Sequence, residues 1–494
     1  MLTWTLVAIF LGLLYWLSRK PSDLPPGRWG LPIIGYIPLY TTNIGRIIND
    51  FRKEYGDIFT WKLGSHVFVG FCDYNLIKTT FNRPECQGRP YLYSFDIIKF
   101  HENAGIVSSV GDVWAQGRRF ALRHLKDFGM GKSSFEGVIQ YEAQNLVQIF
   151  EKTAGQPIEI SWCLNVAVLN VIWKLVANLR YDTEDEEIAK FNAMLRQNIE
   201  IVQGRFQILD MFPGLVKIIP TFALNKIFRV DRLYNNVKEF RSLMMEIIKD
   251  HEKTFDPNNP QDYIDSYLKE IHSETGRNGT IFKEDYTNLI ATLSDLFGAG
   301  SETTSSTIRW MIAIMATHPE IQKKMQREID EVVPKDRLPT LQDKDRLPYT
   351  EAVLFEVLRY SSFVPLGLIH ATTEDIRVGQ YRLPKDTAIF ASARSCHRDP
   401  RYFERPDEFY PEHFLDKEGK VISKKEGFLP FSLGRRQCMG EILAKNEFFL
   451  FSTSLFQNFF ASPPKGGSIS LEPDPFQPIL SFIPPYEVVL TKRT

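Results

Sequence analysis

From Tyr286 to about His318 the chain carries apolar side chains at helical spacing over some thirty positions, and this feature constrains the fold most. A helix of that length cannot bury its own apolar surface, so other elements must pack along it. Segments 345–360 and 440–458 show the same amphipathic or buried helical pattern. Strand-like runs are short: Ile58 to Leu63, His66 to Phe71, Ala388 to Ala391 and Tyr486 to Leu490. The stretch 361–438 is irregular and rich in proline and aromatics, a long connection of the kind that often carries function. No linker-like break follows residue 40 and no repeat is present. The expected fold is mainly α with a small β portion (α+β), in a single large domain.

With 494 residues, 44% of them hydrophobic, the chain can bury a large core. Its 59 basic and 60 acidic residues nearly cancel, which argues against a nucleic-acid partner. Cys72, Cys86, Cys163, Cys396 and Cys438 are odd in number and lack CxxC spacing, so neither a disulfide scaffold nor a structural zinc site is expected.

Residues 1–18 carry no charge and would span roughly 27 Å as a helix, enough for a thin bilayer. Arg19 and Lys20 follow directly, whereas a cleaved signal would carry its positive charge in front. The segment reads as an uncleaved transmembrane anchor, with basic charge keeping the body on the cytosolic side. Residues 19–35 form a basic and proline-rich linker, stiffened at Pro25-Pro26. Asn278-Gly279-Thr280 matches a glycosylation acceptor, which a cytosolic body would leave unmodified.

Three familiar motifs fail on inspection. Gly131-Lys132-Ser133 lacks the first glycine of a phosphate loop, because Lys126 stands there. His397-Arg398-Asp399 is followed by Pro400 and meets Glu404 where a kinase needs asparagine. Neither His101-Glu102 nor His251-Glu252 has the second histidine of a zincin.

The most informative segment is Phe431-Ser432-Leu433-Gly434-Arg435-Arg436-Gln437-Cys438-Met439-Gly440, which runs into a helical pattern. Gly434 lets the chain turn sharply, and Gly440 permits close approach of a flat ligand. Cys438 sits before a helix amino terminus and near two arginines, a setting that favours thiolate over thiol. The residues alone leave three roles open: metal ligand, nucleophile, or structural cysteine in a turn.

Phe431, Gly434, Arg436, Cys438 and Gly440 satisfy FxxGxRxCxG, and the segment resembles the haem-binding signature of the cytochrome P-450 family. Three further motifs of that family appear in order: Trp114-x-x-x-Arg118, Ala299-Gly300-Ser301-Glu302-Thr303-Thr304 and Glu356-x-x-Arg359. The resemblance covers essentially the whole chain. Phe128-Gly129-Met130-Gly131-Lys132 and Pro411-Glu412-His413-Phe414-Leu415-Asp416 are similar to the animal microsomal branch that includes drug- and steroid-hydroxylating enzymes.

The resemblance implies a haem-thiolate catalytic domain over 36–494, with haem b bound through the Cys438 thiolate, a donor that favours O–O cleavage. Phe431 would shield the sulfur. Trp114, Arg118, His370 and Arg436 are the implied partners of the haem propionates, with Arg89 a looser candidate. Glu302 and Thr303 would relay protons, and Thr303 is expected to bond back to the carbonyl of Ala299 and open the helix locally. Small residues at Ala299 and Gly300 would let a ligand approach. Glu356 and Arg359 would lock the loop ahead of the cysteine. His413 replaces the family's usual arginine as third partner, which puts that contact in doubt.

No flavin or dinucleotide fingerprint is present, so electrons must come from outside. The resemblance implies NADPH–cytochrome reductase as donor, with cytochrome b5 as a second candidate, on an endoplasmic reticulum (microsomal) membrane. Arg119, Arg123, Lys126, Lys424, Lys425, Arg435 and Lys445 are candidates for the docking face. Segments 92–106, 200–216, 291–299, 363–368 and 476–480 would line a substrate pocket, where Phe297, Ala299, Phe363, Val364, Leu366, Leu368 and Leu480 suit a hydrophobic guest. The segment Phe206 to Ile219 would form a lid at the membrane. The expected function is monooxygenation of a lipophilic small molecule: steroid, fatty acid, terpenoid or xenobiotic. The alternatives are a haem-thiolate isomerase or synthase acting on an oxidised lipid, a non-enzymatic haem-binding protein, and a haem-free scaffold.

Overall fold

The computed structural model describes residues 19–38, 43–127, 133–273, 281–475, 477 and 479–493. The predicted anchor 1–18, the Phe128–Lys132 motif and Asn278–Thr280 lie outside the described residues. Among those described, no helix is long and apolar enough to cross a membrane.

The first half of the chain holds helices α1 (Ile44–Tyr55), α2 (Tyr74–Phe81), α3 (Tyr93–Ile98), α4 (Gly111–Asp127), α5 (Ser133–Glu151), α6 (Ser161–Ala177), α7 (Glu186–Gln203) and α8 (Gln207–Met211). The second half holds α9 (Thr221–Phe228), α10 (Val230–Thr254), α11 (Tyr263–His272), α12 (Thr287–Thr317), α13 (Pro319–Val332), α14 (Pro348–Ser361), α15 (Ala393–His397) and α16 (Glu441–Asn458). The long helix expected from sequence is α12, buried around most of its circumference, as a helix at the centre of a large core must be. It packs on α6, which is itself buried from Leu164 to Val168 and beyond. At their crossing a Cβ on Gly300 would come within 2.8 Å of Ile172 Cδ1. Gly300 is therefore small for helix–helix contact, not for a ligand as the sequence reading supposed.

The strands are β1 (Gly27–Arg28), β2 (Ile58–Leu63), β3 (His66–Phe71), β4 (Pro157–Ile158), β5 (His370–Ala371), β6 (Ile376–Val378), β7 (Tyr381–Leu383), β8 (Ala388–Ala391), β9 (Phe459–Ser462) and β10 (Val488–Lys492). The largest sheet has the order β1-β2-β3-β8-β5, with β2 and β3 antiparallel and β3 and β8 parallel. Three strands coincide with their sequence assignments. The fourth, expected at Tyr486 to Leu490, begins two residues later, where pairing with β4 starts at Val488; Tyr486 itself donates its hydroxyl to the Arg309 carbonyl at 2.6 Å. The 361–438 stretch contains only short strands, α15 and turns, as its composition suggested.

Buried charge staples this irregular stretch to α14. Glu356 and Arg359 are 0% exposed and form two hydrogen bonds of 2.7 and 2.6 Å. The remaining guanidinium protons go to the carbonyls of His397, Pro406 and Glu408 at 2.6–2.7 Å. His413 does make the third contact: Nδ1 lies 3.2 Å from Glu356 Oε2, while its Nε2 accepts the Arg405 N–H at 3.3 Å. That acceptor role places the ring proton on Nδ1, so the imidazole can donate to Glu356 without carrying charge.

Candidate active site

The cysteine loop is shaped by its own backbone. Gly434 has φ +81°, and a Cβ there would meet the Phe81 carbonyl oxygen at 2.5 Å, so no other residue fits without strain. The Cys438 N–H donates to the Phe431 carbonyl at 3.0 Å, closing the loop just before Gly440 caps α16. A Cβ on Gly440 would meet no protein atom within 4 Å. Phe431 lies under the Lys445 ammonium, 5.4 Å from the ring centroid.

Cys72, Cys86 and Cys396 are buried, Cys163 is half-buried and Cys438 is exposed. Yet burial pushes the Cys438 thiol up, against the Gly440 N–H and Arg118, which pull it down. A side chain both accessible and enclosed opens onto an interior hollow, not bulk water. The expectation that nearby arginines favour the thiolate is corrected here. Arg435 faces solvent, and Arg436 turns away to the carbonyls of Gln87, Ile106 and Ser109 at 3.1, 3.2 and 2.6 Å. A metal ion would itself supply the charge that deprotonates the sulfur. Cys396 is a different kind of thiol: it packs among apolar side chains, with Sγ 3.7 Å from the Cys72 carbonyl, and burial drives it far up.

Above the loop, α4 presents both residues of its motif on one face. Arg118 donates to the Gln437 carbonyl at 2.6 Å. Trp114 is buried under the Arg436 guanidinium, 4.1 Å from its ring centroid, and its indole N–H has no acceptor. Arg89 joins them, bonded to the carbonyls of Val107 and Ile369 at 2.8 and 2.7 Å. Burial, followed by the like charges of Arg89 and Arg118, pushes Arg436 down to about 8. Arginine stays protonated in proteins, so a buried guanidinium beside two like charges, bonded only to carbonyls, is stabilised by an arriving anion. His370 is held neutral by burial and by Arg89, pushed down to about 3, with Nδ1 2.8 Å from the Cys86 carbonyl. In that state its Nε2 offers a lone pair, and only an arriving anion would make it a donor.

On the opposite wall, Ala299 is exposed and Thr303 half-exposed although α12 is otherwise buried. Thr303 Oγ1 donates to the Ala299 carbonyl at 2.7 Å, as expected, but Ser301, Ser305 and Thr307 do the same and α12 runs unbroken through them. Glu302 is 8% exposed with one carboxylate oxygen unpartnered. Burial pushes its carboxyl up, opposed by Arg196 and Arg309. Phe297 does not face the hollow: it is 0% exposed and packs 4.4 Å from Trp173 and 5.0 Å from Phe191.

Sequence reasoning missed Glu447, a lone acid in the apolar run of α16. Burial pushes it up to about 8 against a hydrogen bond with Thr304. Its signal was an acid where the helix pattern calls for an apolar residue. Among the described residues one other cluster has metal-ligand chemistry, His251, Asp262 and Asp265. Burial would lower His251, but its 2.9 Å bond to Asp262 raises it to about 9, so the ring is an ion-pair cation and not a ligand. A surface hollow of about 610 Å³ near Lys324 and Phe409 contains none of the motif residues.

These observations fit a large, flat dianionic cofactor with a metal at its centre. Three guanidiniums and an orphan indole N–H wait for carboxylates, Gly440 leaves room for a flat face, and Cys438 offers a soft ligand. Fold and site together define a haem-thiolate oxidoreductase. The family model described as Cytochrome P450 matches residues 25–490. Cytochrome P450 2L1 of Panulirus argus is 44% identical over 480 residues, covering 97% of each chain. Cytochrome P450 2J3 of Rattus norvegicus is 36% identical over 464 residues, 92% of this chain and 89% of that one. Cytochrome P450 18a1 of Drosophila melanogaster is 34% identical over 479 residues, 93% and 87% of the two chains. The chain belongs to the cytochrome P450 family, whose members are haem enzymes with a cysteine thiolate ligand and generally act as monooxygenases fed by a redox partner.

Proposed function

We propose that this protein is a membrane-anchored monooxygenase that oxidises a lipophilic small molecule with electrons from NADPH, delivered by NADPH–cytochrome reductase at the endoplasmic reticulum. The observation that carries the reading is the uncompensated cationic pocket of Arg89, Arg118 and Arg436 around the Trp114 N–H, beside an accessible Cys438. Cys438 would ligate the haem iron, and Trp114, Arg118, Arg436 and a protonated His370 would hold the propionates. When bound, haem b lets one atom of dioxygen enter the substrate while the other leaves as water, at a cost of two electrons and two protons.

The chain's own residues supply the protons and the dry interior. Glu302 keeps its proton to higher pH than an exposed carboxyl because burial disfavours its anion. Thr303, its hydroxyl proton committed to Ala299, can accept a proton on its free lone pairs and pass its own on. Phe431 shields the sulfur side from water.

The pocket segments hold seven charged residues, and the buried ones are engaged within the protein: Asp210 by the Ser94 N–H and hydroxyl at 2.7 and 2.8 Å, and Lys99 and Asp295 by one another. Their side chains are 2% and 9% exposed and form an ion pair, and Asp295 also accepts the N–H groups of Ile106 and Val107 at 2.6 and 3.0 Å. A neutral, lipophilic guest suits such a pocket. Entry from a lipid surface is supported by exposed Leu31, Ile33, Ile34, Ile37, Ile218 and Phe222. The Gly64 N–H bonds the Ile34 carbonyl and the Ser65 N–H bonds the Met211 carbonyl, both at 2.9 Å, tying the amino-terminal loop to the lid segment.

For electron delivery, Arg119, Arg123, Lys126, Lys424 and Arg435 are exposed. Lys425 lies over the Phe403 ring and Lys445 is paired with Glu441 at 2.6 Å, so both offer less free charge than the other five. The test is the carbon monoxide difference spectrum of reduced protein. Wild type and Cys396→Ala should give the thiolate-type band and Cys438→Ala should not. Identical spectra for wild type and Cys438→Ala would sink the assignment.

A further inference from the structure

The surface of residues 204–230 carries one sign of charge. Arg205, Lys217, Lys226 and Arg229 are exposed there, and among the described residues none of the four is in an ion pair. The one acid of the segment, Asp210, is 4% exposed and engaged by the N–H and hydroxyl of Ser94. The neighbouring loop 29–38 has no charged residue. A chain with 59 basic and 60 acidic residues thus sets four cations and no exposed anion on this surface.

Large apolar side chains stand among those cations. Helix α9 turns Leu224 and Phe228 inward, each 7% exposed, and so presents Phe222, Lys226 and Ile227 outward. Phe222 is 74% exposed and Ile218 77%. Ile33, 79% exposed, lies in the loop joined to this segment through the Gly64–Ile34 and Ser65–Met211 backbone bonds. Outward apolar tips interleaved with cations match a layer that is anionic at its face and apolar beneath. Lysine stems can lie along hydrocarbon while their ammonium groups stay at the headgroups. A zwitterionic face would supply the apolar layer but no net charge for the four cations.

We propose that segment 204–230 and loop 29–38 dock on a bilayer bearing anionic phospholipid headgroups. Ile218 and Phe222 enter the acyl boundary, and Arg205, Lys217, Lys226 and Arg229 lie among the headgroup anions. The inference rests on the membrane reading above and adds to it the charge of the lipid. Each cation held near such a surface favours docking by roughly fivefold, a gain that salt screens.

The test uses holoenzyme carrying Phe222→Trp, reconstituted into phosphatidylcholine vesicles with and without phosphatidylserine. Emission of the introduced indole is read as the difference from wild type in the same vesicles. It should shift to the blue with phosphatidylserine and much less without it, and molar salt should reverse the shift. Adding Lys217→Gln with Lys226→Gln should lower the docked-to-free ratio about fivefold for each change. Lys417→Gln with Lys420→Gln, equal in net charge but outside the patch, should leave it unchanged. Equal shifts in the two kinds of vesicle, or a shift that the 217 and 226 changes leave intact, overturn the proposal while the lipid-surface reading stands. No shift in either kind overturns both. A shift produced by soluble polyglutamate in place of phosphatidylserine overturns the proposal in favour of an acidic protein partner.

Discussion

The guanidinium of Arg436 lies 4.1 Å from the ring centroid of Trp114, and the indole N–H beneath it is buried without an acceptor. One contact thus joins the cysteine loop to α4 and leaves a donor available beside a concentration of positive charge.

Removing that donor should weaken cofactor retention more than folding. Trp114→Phe keeps the stacked ring and loses one charge-assisted hydrogen bond, worth about 1.5–3 kcal/mol, so haem affinity should fall roughly tenfold or more. Arg436→Lys loses the planar fork as well as the stacking, and should fall further. Titration of the apoprotein with haem, read by absorbance, measures both.

Glu356→Gln and Arg359→Ala should each be severe. Either leaves a fully buried charge uncompensated, a loss of about 3–5 kcal/mol. His413→Phe removes only a neutral hydrogen bond and should cost about 1 kcal/mol. Chemical denaturation midpoints will rank the three, and a His413 variant as damaging as Arg359→Ala would show that His413 is charged.

Glu447 predicts a pH dependence with a definite sign. Its folded value, raised to about 8, exceeds its ordinary 4.5. Between those values the folded state binds more protons than the unfolded chain, so stability from this group falls as pH rises through the window. Glu447→Gln should flatten the decline, measured as denaturation midpoint against pH from acid to mildly alkaline buffer.

The two loop glycines should respond differently to alanine. Gly434→Ala meets a left-handed backbone and the Phe81 carbonyl, and should destabilise the fold by about 1–3 kcal/mol. Gly440→Ala meets no protein atom, so its apoprotein should unfold within about 1 kcal/mol of wild type while haem affinity drops.

Much of the fold was legible because its signals are local. The length of α12 follows from uninterrupted apolar spacing, and β2, β3 and β8 from short alternating or apolar runs, none of which requires a distant partner. The cysteine loop was legible too, since a turn glycine, a thiol and a helix start lie within ten residues.

Spacing could not report which way a side chain faces once helices cross. Phe297 and Ala299 lie two residues apart in an apolar run, yet one joins an aromatic core with Trp173 and the other lines the hollow. Gly300 reads as room for a ligand until Ile172 of α6 is placed against it. His413 reads as a lost arginine until the Arg405 N–H fixes its tautomer. The sequence by itself determined the helical framework, the thiol loop and the list of charged candidates. Tertiary structure decided which charges cancel, as Lys99 and Asp295 do, and which stay unmet, as at Trp114 and Arg436. The reason is that electrostatic and hydrogen-bond energies depend on distance and burial in space, and residues almost two hundred positions apart in the chain acquire both only when it folds.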